Sequence, residues 1–402
     1  MDANLHKPQH AASWASYVEG LVPLGEHLRG LLTDPEDAQL EQELYRHIYL
    51  ILSQGFGGLV YQSATYPDFW PQFSTMYNFA ISNVDDTYYM TPLDAEGVYK
   101  ITGLRGSAHL VDFQIGSEHF FYSGLGKLGP PLSNYDLDEE IEITADGSFS
   151  VILSANRPAG YQGDWLPLDA KATHLLVRQV FYDWSTEVTG SFSIERLDVP
   201  AARPRDSADK IAAQLGNLTA ATKNWAEFVL GHTRNLRERG VINRMAVRDF
   251  SQAGGVSTQI YMDGLYDLQD DEALILELEI PGDCFYWSFV IYDELWSIVD
   301  WLHRQVSING HAAHIDSDGK FRAVISKQDP GVPNWLDTGG YIRGGLFGRF
   351  NRCPGELNPS MRKIAVSQVL RHLPPDTPRV SPAARDESLR ARRRAIQLRR
   401  RW

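Results

Sequence analysis

Apolar residues along this chain change their spacing several times, and each change marks a different kind of element. Trp14, Tyr17, Val18 and Leu21 share one helical face, and Leu40, Leu44, His47, Ile48 and Ile51 share another. Residues 1–66 are therefore expected to be a helical arm. From Pro67 the period falls to that of strands: Val98 to Ile101, Leu110 to Phe113, Ile141 to Ile143, Phe149 to Leu153, His174 to Phe181 and Phe192 to Ile194. Helical spacing returns over 206–244, where Ile211, Leu215, Leu218, Trp225, Phe228, Val229 and Leu236 form one stripe. Strands resume over 245–357, including Leu274 to Leu278 and Phe285 to Ile291. The last segment, 358–402, reads as helical, with Asn358 as a cap, Pro359 at the first position and Ile364, Val366, Val369 and Leu370 on its apolar side.

The two strand-rich stretches repeat each other. Asp146 to Ser154 reads D-G-S-F-S-V-I-L-S and Asp318 to Ser326 reads D-G-K-F-R-A-V-I-S, 172 positions later. Each block is followed by a proline-containing loop and then Trp-Leu, at Trp165 and Trp335. Repetition at this distance implies two copies of one β-rich unit, at 67–205 and 245–357. Short strands, turn signals and no regular β-α alternation predict a mainly β chain with helical additions, built as two tandem β-sandwich or jelly-roll-like units from an internal duplication.

Composition narrows the classes. The 43% apolar and 11% aromatic residues can fill two cores. The net charge is −13, but the last 22 residues hold eight arginines against two acids, so the tail carries +6 and the rest −19. An acidic body is a poor nucleic-acid partner. The arginine tail suits a helix docked on that body or on a second subunit, and a homo-oligomer with the tail at its interface is expected. No apolar run approaches the roughly 20 residues of a membrane span. The opening residues lack a secretory pattern, and Cys284 and Cys353 make neither a disulfide framework nor a zinc set. A cytoplasmic setting is the resulting expectation.

Familiar chemical motifs are absent: no nucleophile elbow, no P-loop and no dinucleotide fingerprint. His311 and His314 sit three apart on a predicted strand, so they face opposite ways and cannot share a metal. No metal and no cofactor are expected. Ser360 and Lys363 have an acyl-serine spacing near a predicted helix start, without the companion motifs. The Asp-Thr-Gly at 337–339, with Asp169 as its counterpart, reads as loop hydrogen bonding. Residues special to the second copy are freer to serve chemistry. Arg304, Arg322, Asn334, Trp335 and Arg343 are the expected binding group, with Asp329, His303 or His311 as acid or base. A site in the first unit around Asp85, Tyr88 and Arg178 is the alternative.

Asn83 to Gly103, N-V-D-D-T-Y-Y-M-T-P-L-D-A-E-G-V-Y-K-I-T-G, is the first stretch with a familiar look. Tyr286 to Gly339, with Y-W-S-F-V-I-Y-D, R-Q-V-S-I-N and D-P-G-V-P-N-W-L-D-T-G, is the second. Both resemble the bacterial proteins grouped as domain of unknown function 1214, over roughly Pro67 to Trp402. The resemblance implies sandwich-like domains and oligomers, and no activity. Two functions stay open: a cofactor-independent hydrolase or lyase acting on a hydroxylated or anionic small molecule, or a non-catalytic small-molecule or saccharide-binding protein. A buried cleft holding a titratable group would favour the first, and a shallow aromatic face the second.

Overall fold

The computed structural model describes residues 13–119, 128–248, 250, 255–256 and 258–399. The opening residues read above for a secretory pattern lie outside that set. Helix α1 (Trp14–Arg29) starts at Ser13, whose hydroxyl accepts from the Ser16 amide, and α2 (Ala38–Gly55) starts at Asp37, which caps Gln39 and Leu40. A π-helical turn, Phe56–Tyr61, extends α2. No described helix is long and apolar enough to cross a membrane.

Two sandwiches follow, and they share one strand order. In the first, β1 (Asp86–Pro92), β7 (His174–Val180), β3 (Leu110–Gly116) and β4 (Pro131–Asp136) form one sheet. Its facing sheet is β6 (Asp164–Pro167), β5 (Ser148–Ser154), β2 (Tyr99–Leu104) and β8 (Ser191–Arg196). In the second, β10 (Gln259–Asp267), β16 (Arg343–Asn351), β12 (Tyr286–Tyr292) and β13 (Ser307–Asn309) repeat the first order, with β9 (Ala246–Arg248) added outside β10. The sheet β15 (Trp335–Asp337), β14 (Lys320–Ser326), β11 (Glu272–Glu279) and β17 (Ser360–Ala365) repeats the other.

The sequence repeat maps onto this order. Phe149 and Phe321 hold the second position of β5 and β14 and point into their respective cores. Trp165 pairs with Ile152, and Trp335 with Val324, both across a parallel ladder. Each indole donates to a serine hydroxyl at the end of the neighbouring strand, Ser154 at 3.0 Å and Ser326 at 3.1 Å. Gly147 and Gly319 take φ of 83° and 81°, which a side chain would strain, and this is why Asp-Gly recurs in both turns.

Helix α4 (Ala208–Glu238) connects the sandwiches and buries Trp225, Val229 and Leu236 against the same core that holds α1, α2 and the second unit. The first unit keeps its own core between its sheets, around Tyr99, Phe113, Phe149 and Val177. Helix α5 (Pro382–Leu398) carries the arginine tail back onto this chain's own body: Arg385 meets Asp329 at 3.0 Å, and Arg392 meets the Ser307 hydroxyl at 3.0 Å.

Four local expectations are corrected. Ile141 to Ile143 form no strand: a helical turn, α3 (Leu137–Glu140), precedes them, and the Glu142 amide donates to the Asp164 side chain instead of a ladder. The helix expected from Asn358 is a strand and a 3-10 turn, Val366–Arg371, because β17 pairs with the open side of β11 as β8 does with β2. That strand also carries Ser360 and Lys363, which therefore lie on a strand and not in the first turn of a helix. His311 and His314 lie past the end of β13, His311 in a turn and His314 in the loop after it, with Asp183 at 3.7 Å and Asp316 at 3.5 Å respectively. Cys284 and Cys353, which flank the paired β12 and β16, are bonded as a disulfide, so the cysteines no longer argue for a reducing compartment.

Candidate ligand cavity at the seam of the two units

Alternation along the first sheet determines what faces the seam. Val111, Phe113 and Ile115 of β3 and Leu175 and Val177 of β7 point into the first core. The opposite positions, Asp112, Gln114, His174, Leu176 and Arg178, with Asp86, Tyr88 and Met90 of β1, therefore face outward. All of these but Asp112 meet Tyr261 of β10, Phe347 and Arg349 of β16, and Trp225 and Phe228 of α4 around a cavity of about 190 Å³. Arg178 is opposite Tyr88 in the β1–β7 ladder, and Arg349 is opposite Tyr261 in the β10–β16 ladder. These are equivalent positions of the repeat, so each unit supplies one arginine and one tyrosine to the same space.

The two arginines are not equivalent in their partners. Arg178 donates to Asp112 at 3.1 Å and to Gln114 at 2.5 Å. The position equivalent to Asp112 is Ser288, which is also opposite Arg349. Arg349 accordingly has no carboxylate within ion-pair distance among the described residues. It donates to the Ile81 carbonyl, lies 4.6 Å over the Phe347 ring, and leaves its other terminal nitrogen, Nη1, buried without a partner. The Gln114 amide nitrogen and the Trp296 indole nitrogen, also on the cavity wall, are unpartnered donors as well. Unsatisfied buried donors are costly, so this wall is built to meet an acceptor.

Asp86 stands among them. Burial pushes its carboxyl up to about 7, against the pull of Arg349, and the adjacent Asp85 pushes the same way. The Asn83 side chain donates to it at 2.8 Å. Burial also holds the Tyr88 hydroxyl well above its ordinary range, so it stays protonated as a donor. Farther along the wall, burial lowers His174 to about 3 and His119 well below its ordinary value, and both rings are neutral at pH 7. A histidine depressed in the fold stabilises fully above its unfolded value of 6.5 and loses that contribution as pH falls toward 3. The stability difference between wild type and His174→Gln, from urea titrations, is expected to be constant above pH 7. It should move in the variant's favour between pH 6.5 and 4, and an unchanged difference would remove the burial argument.

Backbone strain concentrates here too. Ala80, Ile81 and Trp296, with φ of 56°, 45° and 63°, line the cavity, and they are three of the five non-glycine residues with positive φ among the described residues. Such conformations cost on the order of 1–3 kcal/mol each and collect at ligand sites. The strained Ile81 turn presents its carbonyl to Arg349, and its amide donates to the Trp296 carbonyl at 3.0 Å.

Behind Asp86, Asp85 ties the units together. Its carboxylate accepts from Tyr286 at 2.6 Å, Trp184 at 2.8 Å and Asn309 at 3.0 Å. Burial raises its pKa, and the hydrogen bond from Tyr286 is the chief opposing influence. Arg392 and Arg399 of the tail stack on Trp184, each 4.4 Å from its ring, and Arg399 donates to the Asp85 carbonyl. Burial pulls both guanidiniums down to about 10.

The residues singled out from sequence lie elsewhere. None of the eight lines the cavity. Arg322 is bound by Glu277, Asp316 and Asp318. Asn334 clamps the backbone of His314 and Arg322, and Trp335 lies under Arg385 at 5.2 Å. Arg304 pairs with Asp337, Arg343 with Glu294, and Asp329 with Arg385. His303 rests on Asp300, and His311 is half exposed beside Asp183. No group of three or more potential metal ligands occurs among the described residues. Two of the three alternative residues, Tyr88 and Arg178, are on the wall, and Asp85 lies just behind it. Asp86 and Tyr261 were missed, and Arg349, one of the arginines of the second unit's polar stretch, was left out of the expected binding group. The signal that could have found them is the equivalence of Tyr88 and Arg178 with Tyr261 and Arg349, which becomes visible only when the strands are aligned by pairing.

The profile of the family described as "Protein of unknown function (DUF1214)" matches residues 129–182 and 266–346. The resemblance to that family therefore stands, and its second quoted stretch falls inside the match while Asn83 to Gly103 falls outside. Among solved structures, an uncharacterised protein from Burkholderia cenocepacia is 24% identical, with a TM-score of 0.79 over 88% of this chain and 97% of that one. The VPA0106 protein from Vibrio parahaemolyticus is 12% identical, with a TM-score of 0.44 over 80% and 98%. The first establishes a shared fold and neither carries an activity. No curated protein matches.

Proposed function

We propose that this chain is a cofactor-independent enzyme of lyase or hydrolase type, acting on a small carboxylate-bearing molecule held between Arg178 and Arg349. The observation that carries this reading is that equivalent arginines from the two units face one cavity, beside a carboxyl whose pKa is near 7. In the lyase form, ionised Asp86 takes a proton from the carbon next to the substrate carboxylate. The electron pair moves into the carboxylate, where the arginines stabilise the added charge. It then returns to form a carbon–carbon double bond as a β-hydroxyl leaves, and that hydroxyl takes the proton back from Asp86 and departs as water. With a water molecule as the group deprotonated, the same base serves hydrolysis.

The common strand order supports descent of both units from one duplicated sandwich. A homo-oligomer using the outward face of α5 is part of the same reading, and light scattering tests it. For the activity, thermal-shift screening of a metabolite set with product analysis of the hits is the direct experiment. Arg178→Met and Arg349→Met should each weaken a hit roughly 10- to 100-fold, as expected for a lost charged hydrogen bond. Full affinity in both folded variants would defeat the reading, and tight binding without turnover would move the protein to the non-catalytic class.

A further inference from the structure

Cavity size and wall chemistry narrow the ligand beyond its charge. A dry cavity of about 150 Å³ accepts benzene, so the 190 Å³ here holds one six-membered ring with a carboxylate and little more. The charged groups Asp86, Arg178 and Arg349 are gathered where β1, β7 and β16 meet. Away from them the wall is largely made of rings, Phe73, Trp225, Phe228, Phe250, Trp296 and Phe347, interrupted by Gln72, Glu118, His119, His174 and Gln259. These rings brace one another. Phe73 stands edge-on to Tyr88 at 5.1 Å, Phe228 to Trp296 at 5.6 Å and Phe250 to Phe347 at 5.4 Å. A wall held in this way cannot collapse onto a short acid.

We infer that the ligand of this cavity is a six-membered-ring carboxylic acid, its carboxylate on Arg349 and Arg178 and its ring among the aromatic side chains. The inference rests on the anion-binding reading above and adds the ring. Arg349 takes the carboxylate through its unpartnered Nη1, and the Gln114 amide nitrogen is a further donor on the same wall.

Titration calorimetry on the full chain, with five probes, tests the ring and the charge separately. Benzoate and cyclohexanecarboxylate should bind at least about tenfold tighter than acetate, since a buried ring adds well over the 1.4 kcal/mol that tenfold represents. Benzoate should also exceed benzyl alcohol about tenfold, and 2-naphthoate should not bind. In Arg349→Met, benzoate should fall to the level of benzyl alcohol. Acetate equal to benzoate would overturn the ring and leave the anion reading standing. Benzyl alcohol equal to benzoate in the wild type would overturn the anion reading, whether or not the variant folds. Naphthoate tighter than benzoate would overturn the ring size, and no binding by any probe would remove both.

Discussion

Asp86→Asn is expected to lower turnover about 10²- to 10⁴-fold, the usual contribution of a positioned acid or base. The substitution keeps the shape and an oxygen that accepts from Asn83. It removes only the proton-accepting charge. The fold should not suffer, and the sign can be worked out. A carboxyl held at about 7 in the folded state, against 3.8 when free, binds more protons folded than unfolded, so its ionisation costs stability as pH rises through 7. The variant is spared that cost, and at pH 8 it should be at least as stable as the wild type. With the wild type, kcat should rise with pH through about 7 and level off, and the variant's residual rate should lack that rise. A variant that is folded, binds its ligand and turns over at the wild-type rate would exclude Asp86 as the base.

Asp85→Ala should be the most destabilising single change at the seam, by about 3–5 kcal/mol. It removes an acceptor from Tyr286, Trp184 and Asn309 at once, leaving Tyr286 only Ser288, Asn309 only the Tyr182 carbonyl and the Trp184 indole none, and it takes from buried Arg392 and Arg399 the carboxylate that most favours their charge. Each orphaned buried donor costs on the order of 1–3 kcal/mol. Because two of the three donors come from the second unit and Asp85 from the first, the loss should appear as earlier separation of the units in urea. Asp85→Asn retains one acceptor oxygen and should fall between the wild type and the alanine variant. A midpoint for Asp85→Ala within about 1 kcal/mol of the wild type would show that the seam is held by packing alone.

Local physics made much of the architecture readable from the chain. Asp-Gly ahead of an alternating run has few solutions, since glycine supplies the positive φ and the run buries every second residue. Both copies therefore announced their turns, their core phenylalanines and the tryptophans that follow. Helix α4 was equally plain, because its apolar stripe persists over many turns. Where two local signals competed, tertiary contacts decided. Asn358-Pro359 caps a helix in isolation, but the unpaired side of β11 offers a ladder of backbone hydrogen bonds, and the repeat requires that edge to be filled as β8 fills its counterpart. The arginines near 304–343 looked like a binding group for a related reason. Composition records how many charges a segment carries and not which acids they meet, and Glu277, Glu294, Asp316 and Asp337 already neutralise them. The cavity itself could not be read from order along the chain. Arg178 and Arg349 are 171 residues apart and ordinary in their neighbourhoods. What distinguishes Arg349 is that strand pairing sets it opposite Ser288, where its equivalent meets Asp112. A missing counterion is a property of packed units in space, so only the tertiary structure could disclose it.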